Sequence, residues 1–147
     1  MDEFNVEEYE EKCKIIKTEN ESLLEMFEED LEGLNPKTIN RHLSNVDFYI
    51  NTYLLREEAY DFTHGIWNVD DYLGYFFIRK CMWSTPGNIK STAASIKKFY
   101  QCMLKKEMIQ KADYEYLCET IKDNMWKWQN DCEIYNDPDA ENPFMPF

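Results

Sequence analysis

The sequence predicts an all-α bundle, and three observations carry that expectation. Apolar residues recur at three- and four-residue spacing through most of the chain, the period of an amphipathic helix with one face toward a core. Glycine and proline are confined, before residue 137, to Gly33, Gly65, Gly74, Gly87, Pro36 and Pro86, which disfavours a turn-rich sheet. Helix-capping residues stand where the apolar stripes begin, at Thr18, Asn35, Asn68, Thr85 and Asp113. No segment reads as a strand, and there is no internal repeat.

Taken in order, Val6, Tyr9, Cys13 and Ile16 form one apolar stripe on an opening helix whose other face is rich in glutamate. Thr18 and Glu21 match a capping box, so a second helix is expected there, with Leu24, Phe27 and Leu31 inward and an end near Gly33. Asn35 can cap free amides while Pro36 takes the first helical position, where its missing N–H costs nothing; Ile39, Leu43, Val46, Ile50 and Tyr53 follow on one face. The next helix is expected from about Asn68, burying Val69, Tyr72, Leu73 and Phe76. Gly74 inside it costs about 1 kcal/mol relative to alanine, which calls for a close helix crossing or a weakly formed first turn. Thr85 and Pro86 repeat the cap-and-proline start, and Ile89, Ala93, Ile96, Tyr100 and Met103 mark the central helix, running to about Lys106. Asp113 caps the last helix, which presents Leu117, Ile121, Met125, Trp128 and Cys132. The expected organisation is an acidic helix over 1–17, a helical core over 18–135, and a proline-containing tail over 136–147.

The net charge of −13 is segregated along the chain. Residues 1–34 carry 13 acids against three bases and residues 113–147 carry nine against two, whereas residues 35–112 carry 11 bases against seven acids. A strongly acidic protein should repel nucleic acid, but the middle of this one is net basic. No run of about 18 apolar residues occurs, and Met1 leads into Asp2, Glu3, Glu7 and Glu8 where a signal peptide needs a basic and then an apolar stretch. A cytoplasmic protein without membrane contact is expected. Cys13, Cys81, Cys102, Cys118 and Cys132 form no Cys-x-x-Cys pair and read as reduced, mostly buried thiols.

The bases have a pattern. Lys90, Lys97, Lys98 and Lys105 fall within a sector of about 100° on the Thr85 helix, opposite its apolar stripe. Lys37 and Arg41 lie one turn apart on the Asn35 helix, with Thr38, Asn40 and Asn45 nearby in sequence. Any soluble amphipathic helix shows lysines on its outer face. Here, however, the two proline-started helices carry the bases while the acids concentrate elsewhere.

Other chemistry finds little support. His42, at the edge of an apolar stripe, reads as structural and His64 as a loop residue, so no metal-ligand set and no cofactor is expected. Glu7-Glu8 and Glu28-Glu29-Asp30 read as solvated faces, and Asp70-Asp71 as a favourable helix start. No phosphate loop, nucleophile elbow or dinucleotide glycine pattern is present. Trp128 is expected in the core.

The helix ending over Phe27 to Leu34, Asn-Pro-Lys-Thr-Ile-Asn-Arg-His-Leu at 35–43, Phe48-Tyr-Ile-Asn-Thr-Tyr53 and Val69-Asp-Asp-Tyr-Leu-Gly-Tyr-Phe76 bear, in that order, a resemblance to the N-terminal core-binding domain of tyrosine recombinases and phage integrases. Ser91-Thr-Ala-Ala-Ser-Ile-Lys-Lys-Phe-Tyr100 with Met103-Leu-Lys-Lys-Glu-Met-Ile109 extends it, so that it covers about residues 20–125. It implies an orthogonal, SAM-like bundle of four to five helices, here with an extra acidic N-terminal helix, that clamps duplex DNA in recombination and integration. It also implies DNA contacts from Lys37, Thr38 and Arg41 on one helix and Lys90, Ser91, Lys97 and Lys98 on another. The family's catalytic arginine, lysine and histidine around a nucleophilic tyrosine find no counterpart, since no arginine follows Arg79 and no histidine follows His64. No catalytic residue and no enzyme activity are therefore expected. The rival expectation is an acidic protein-interaction module, docking a partner through the Tyr- and Trp-rich last helix and the aromatic tail Asn142-Pro-Phe-Met-Pro-Phe147.

Overall fold

The computed structural model describes residues 5–139, and among them the chain forms five helices and no strand. The first, α1, spans Val6–Asp30 without interruption. The break expected at Thr18 does not occur: the Thr18 hydroxyl donates to the Lys14 carbonyl at 3.0 Å, one turn back inside the helix. Asn20 explains the continuity. It is buried on the same stripe as Leu23 and Phe27, and its amide donates to the Ile50 carbonyl and to Asn51 Oδ1 at 3.3 and 2.7 Å. A polar residue therefore occupies a core position and links the two predicted apolar stripes into one. The actual cap is Asn5, whose side chain accepts from the Glu8 amide.

The second helix, α2, runs over Pro36–Phe48 and continues through a π turn, Tyr49–Tyr53. Asn35 caps it as expected, accepting from the Lys37 amide at 2.8 Å. The third, α3, comprises Gly65–Asp71, a second π turn over Tyr72–Phe76, and a last turn Phe77–Lys80. Asn68 is not its cap. A 3-10 turn, Phe62–His64, leads in from Asp61, which accepts from the Thr63 amide, while the Asn68 side chain donates to the His64 carbonyl from within the helix. What fixes this earlier start is tertiary: the buried hydroxyls of Tyr49 and Tyr100 donate to the Gly65 and Phe62 carbonyls.

The fourth helix, α4, is Pro86–Lys105, with the Thr85 hydroxyl accepting from the Asn88 amide. The fifth, α5, is Lys111–Asn136. Its cap is Gln110, three residues earlier than expected, and Asp113 completes a reciprocal capping box by accepting from the Gln110 amide at 3.2 Å. The helix extends to Asn136, where the tail was expected to begin. The Asn142–Phe147 segment lies outside the described residues.

The core sits among all five helices. Ile89, Ala93, Ile96, Tyr100 and Met103 of α4 are buried as the periodicity predicts, joined by Phe99 and Cys102. Phe27 of α1 meets Phe99 edge-on at 5.5 Å. The two π turns face each other, with the Tyr72 ring 4.6 Å from Tyr49 and 4.7 Å from Tyr53. Gly74 marks the close crossing anticipated for it: a Cβ there would lie 2.7 Å from the Trp128 ring of α5. That ring is fully buried and is held by its N–H donating to Asp70 at 2.7 Å.

Two substitutions test this packing. Ile96→Ala, at a fully buried site, should cost about 2–5 kcal/mol in urea denaturation. Gly74→Ala should cost about 1–3 kcal/mol through overpacking and shift the tryptophan fluorescence, since Trp128 has nowhere to retreat.

Candidate nucleic-acid interface

The two proline-started helices, α2 and α4, pack directly against each other. Their junction is polar and buried: His42 Nδ1 lies 2.7 Å from Ser95 Oγ, the Asn45 amide donates to the same oxygen at 3.0 Å, and Ser95 lies 3.2 Å from the Ser91 carbonyl. One proton assignment satisfies all three contacts. Ser95 donates to Ser91 and accepts from both Asn45 and His42, which places the proton of neutral His42 on Nδ1. Ser95 suits the seam because its small side chain admits the neighbouring helix while its hydroxyl satisfies the imidazole.

The expected residues lie on the two helices that meet at this seam. Lys37, Arg41, Lys90, Lys97 and Lys98 are exposed, and Thr38 and Ser91 are half-buried. Arg41 and Lys98, from different helices, both lie close enough to His42 to act on it: burial first, then these two positive charges, push its pKa below the ordinary 6.5. Among the described residues none of the five cations makes an ion pair, whereas Lys12, Arg56, Lys111 and Lys127 do. Lys105 departs from the expectation. It pairs with Asp30 of α1 at 3.2 Å and so leaves the basic set that its spacing suggested.

Counter-charge is absent from all of α4 and from α2 as far as Val46. No carboxylate occurs from Pro36 to Val46 or from Pro86 to Lys106. It appears at the border, where Glu21, Glu25 and Glu28 of α1 gather with Asp47 around a groove along Leu43 and Ser44. The basic surface is therefore bounded by acid on its α1 side.

Other surfaces offer less chemistry. Among the described residues no group of three or more His, Cys, Asp or Glu is placed to hold a metal, and no helix is long and apolar enough to cross a membrane. Cys81, Cys102 and Cys132 are buried, Cys13 and Cys118 partly so; burial pushes the Cys81 thiol up to about 11, which keeps it protonated and unreactive at neutral pH. His64 stacks on Tyr60 beside Asp61. Exposed aromatics on α3 and α5 include Trp126, at 75%, and Trp67, which at 55% leans on Tyr116 with ring centroids 4.9 Å apart; Trp83, between α3 and α4, is also exposed.

The His42–Ser95–Asn45 junction is what the sequence reading missed. Its signal was the small polar run Ser91-Thr92-Ala93-Ala94-Ser95 opposite a histidine at the edge of an apolar stripe. No family model matches the chain, and no curated protein or solved structure matches it either.

The buried histidine makes stability depend on pH with a definite sign. Folded His42 resists protonation more than the unfolded chain does, so the unfolded state takes up the extra proton as the pH falls below about 6.5. Stability should therefore fall from there toward the lower folded pKa. Urea midpoints between about pH 7.5 and 5.5 should show this loss, and His42→Asn should flatten it.

Proposed function

We propose that this chain is a non-enzymatic, duplex-DNA-binding module of the tyrosine-recombinase core-binding type, with an orthogonal, SAM-like arrangement of its helices. One observation carries the reading. Two adjacent helices present five cations with no ion pair among the described residues, and no carboxylate occurs between Pro36 and Val46 or between Pro86 and Lys106. A solvated helix face normally interleaves both signs. A face reserved for one sign suits a polyanion, and phosphate contacts would come from Lys37, Arg41, Lys90, Lys97 and Lys98, with Thr38 and Ser91 hydroxyls donating alongside.

A second reading has its own observation. The exposed Trp126, Trp67 and Tyr116 are residue types favoured at protein interfaces and would serve an acidic interaction module. It uses a different surface, so substitutions on α2 and α4 separate the two.

The test is the salt dependence of binding to a fluorescein-labelled duplex, followed by anisotropy. Each phosphate contact contributes about 0.9 to the slope of log affinity against log salt. Lys97→Ala with Lys98→Ala should reduce the slope by up to about two, while Lys127→Ala, which removes a lysine already paired with Asp131 at 3.0 Å, should leave it unchanged. No binding at low salt, or an unchanged slope in the double variant, would sink the proposal.

A further inference from the structure

We propose that His42 is a proton-operated phosphate contact: a DNA backbone phosphate seats at the α2–α4 seam between Arg41 and Lys98, and His42 bonds it only when the imidazole is charged. This deepens, and rests on, the DNA-binding reading.

His42 uses only one of its two ring nitrogens inside the bundle. Nδ1 is committed to Ser95 at 2.7 Å, and Nε2 has no hydrogen-bond partner among the described residues. Yet no buried side-chain nitrogen or oxygen among the described residues is left unsatisfied. Nε2 must therefore lie at the small part of His42, 3% of the residue, that still meets solvent. The ring is held edge-outward at the seam, with one nitrogen anchored inside and the other at the surface.

Its protonation state decides what that nitrogen can do. With the proton of the neutral ring on Nδ1, Nε2 carries a lone pair and repels a phosphate oxygen. On protonation Nε2 becomes a donor, and an N–H of a cation to an anionic oxygen is among the stronger hydrogen bonds. The charges facing the ring are Arg41 on its own helix and Lys98 on α4. Glu21, Glu25 and Glu28 of α1 face the flank of α2 at Leu43, Ser44 and Asp47. Without DNA, burial first and then the two cations favour the neutral imidazole. A phosphate between them offsets their field and supplies an acceptor, so binding draws one proton from solvent, and affinity must rise as pH falls.

The experiment measures duplex affinity at fixed salt between about pH 8 and 6, across the ordinary histidine range. Wild type should gain up to about tenfold for each pKa unit by which the phosphate raises the imidazole. His42→Asn keeps a nitrogen near the Nδ1 position for Ser95 but lacks Nε2, and should bind weakly with little pH dependence. His42→Gln sets a permanent amide donor near the Nε2 position and should bind with little pH dependence too, but more tightly than His42→Asn. His64→Asn should retain the wild-type response. In the intact protein, the His42 ring pKa followed by NMR should rise on adding duplex, and rise less with inorganic sulfate at equal anion concentration. DNA binding with the same pH response in wild type and His42→Asn, or a ring pKa that duplex leaves unmoved, would overturn this inference alone. Equal shifts with sulfate and duplex would reduce the seam to a general anion site and overturn the DNA assignment. Absence of DNA binding by every variant at every pH would remove the parent reading and this one with it.

Discussion

Everything in this fold depends on how α4 is enclosed. Nine of its 20 residues are buried, because α2 packs on one side, α5 on another, and α1 reaches it through Phe27 and Met26. A helix enclosed on that many sides keeps only a narrow strip in water, and its charges must crowd there. Solvation alone therefore accounts for lysines on the strip. It does not account for the missing acids, since glutamate is as good a helix former as lysine and solvates as well. That asymmetry, repeated on α2, is where the packing argument ends and a functional one begins.

The enclosure also explains the polar seam. Two helices approach closely where small residues line the contact, and Ser91, Thr92, Ala93 and Ser95 provide that on α4. A histidine brought into such a contact needs a partner for each buried nitrogen. Ser95 answers one, and the solvent edge answers the other. On the far side of the bundle the same rule is met by aromatic residues. Tyr49 and Tyr100 satisfy backbone carbonyls at the entry to α3, Tyr53 donates to Asp71 under the Arg56 guanidinium, and Trp128 donates to Asp70. The core is rich in polar-tipped rings, and these four tips are bonded along the stretch from Phe62 to Asp71.

The helices were legible in the sequence wherever local and tertiary signals agree. Asn35 and Thr85 cap because a proline follows each and the chain has no alternative there. Thr18 and Asn68 carry the same capping chemistry, but each lies inside a helix, where its side chain turns back to a carbonyl one turn earlier. A capping residue announces a helix start only if something else stops the preceding turn, and at Thr18 nothing does. The π turns were not legible, because an i to i+5 hydrogen bond leaves no residue-type signature; it follows from seating Tyr49, Tyr53 and Tyr72 against one another. In the candidate interface the charges could be read from spacing, except Lys105, whose partner Asp30 is 75 residues away in sequence. The seam could not, since His42 and Ser95 are 53 residues apart.

The segregated charge has a consequence for how a polyanion would approach. At long range the protein's net charge of −13 repels DNA. At physiological ionic strength that repulsion is screened beyond about 8 Å, so only charges near the contact decide its outcome. On the α2–α4 face those are cations with no ion pair among the described residues, and along the α1 border they are Glu21, Glu25, Glu28 and Asp47. A duplex displaced toward α1 would meet more of these carboxylates than one centred on the seam. On the proposed reading, the acid that argues against nucleic-acid binding when averaged over the chain would, once placed, define one edge of the contact.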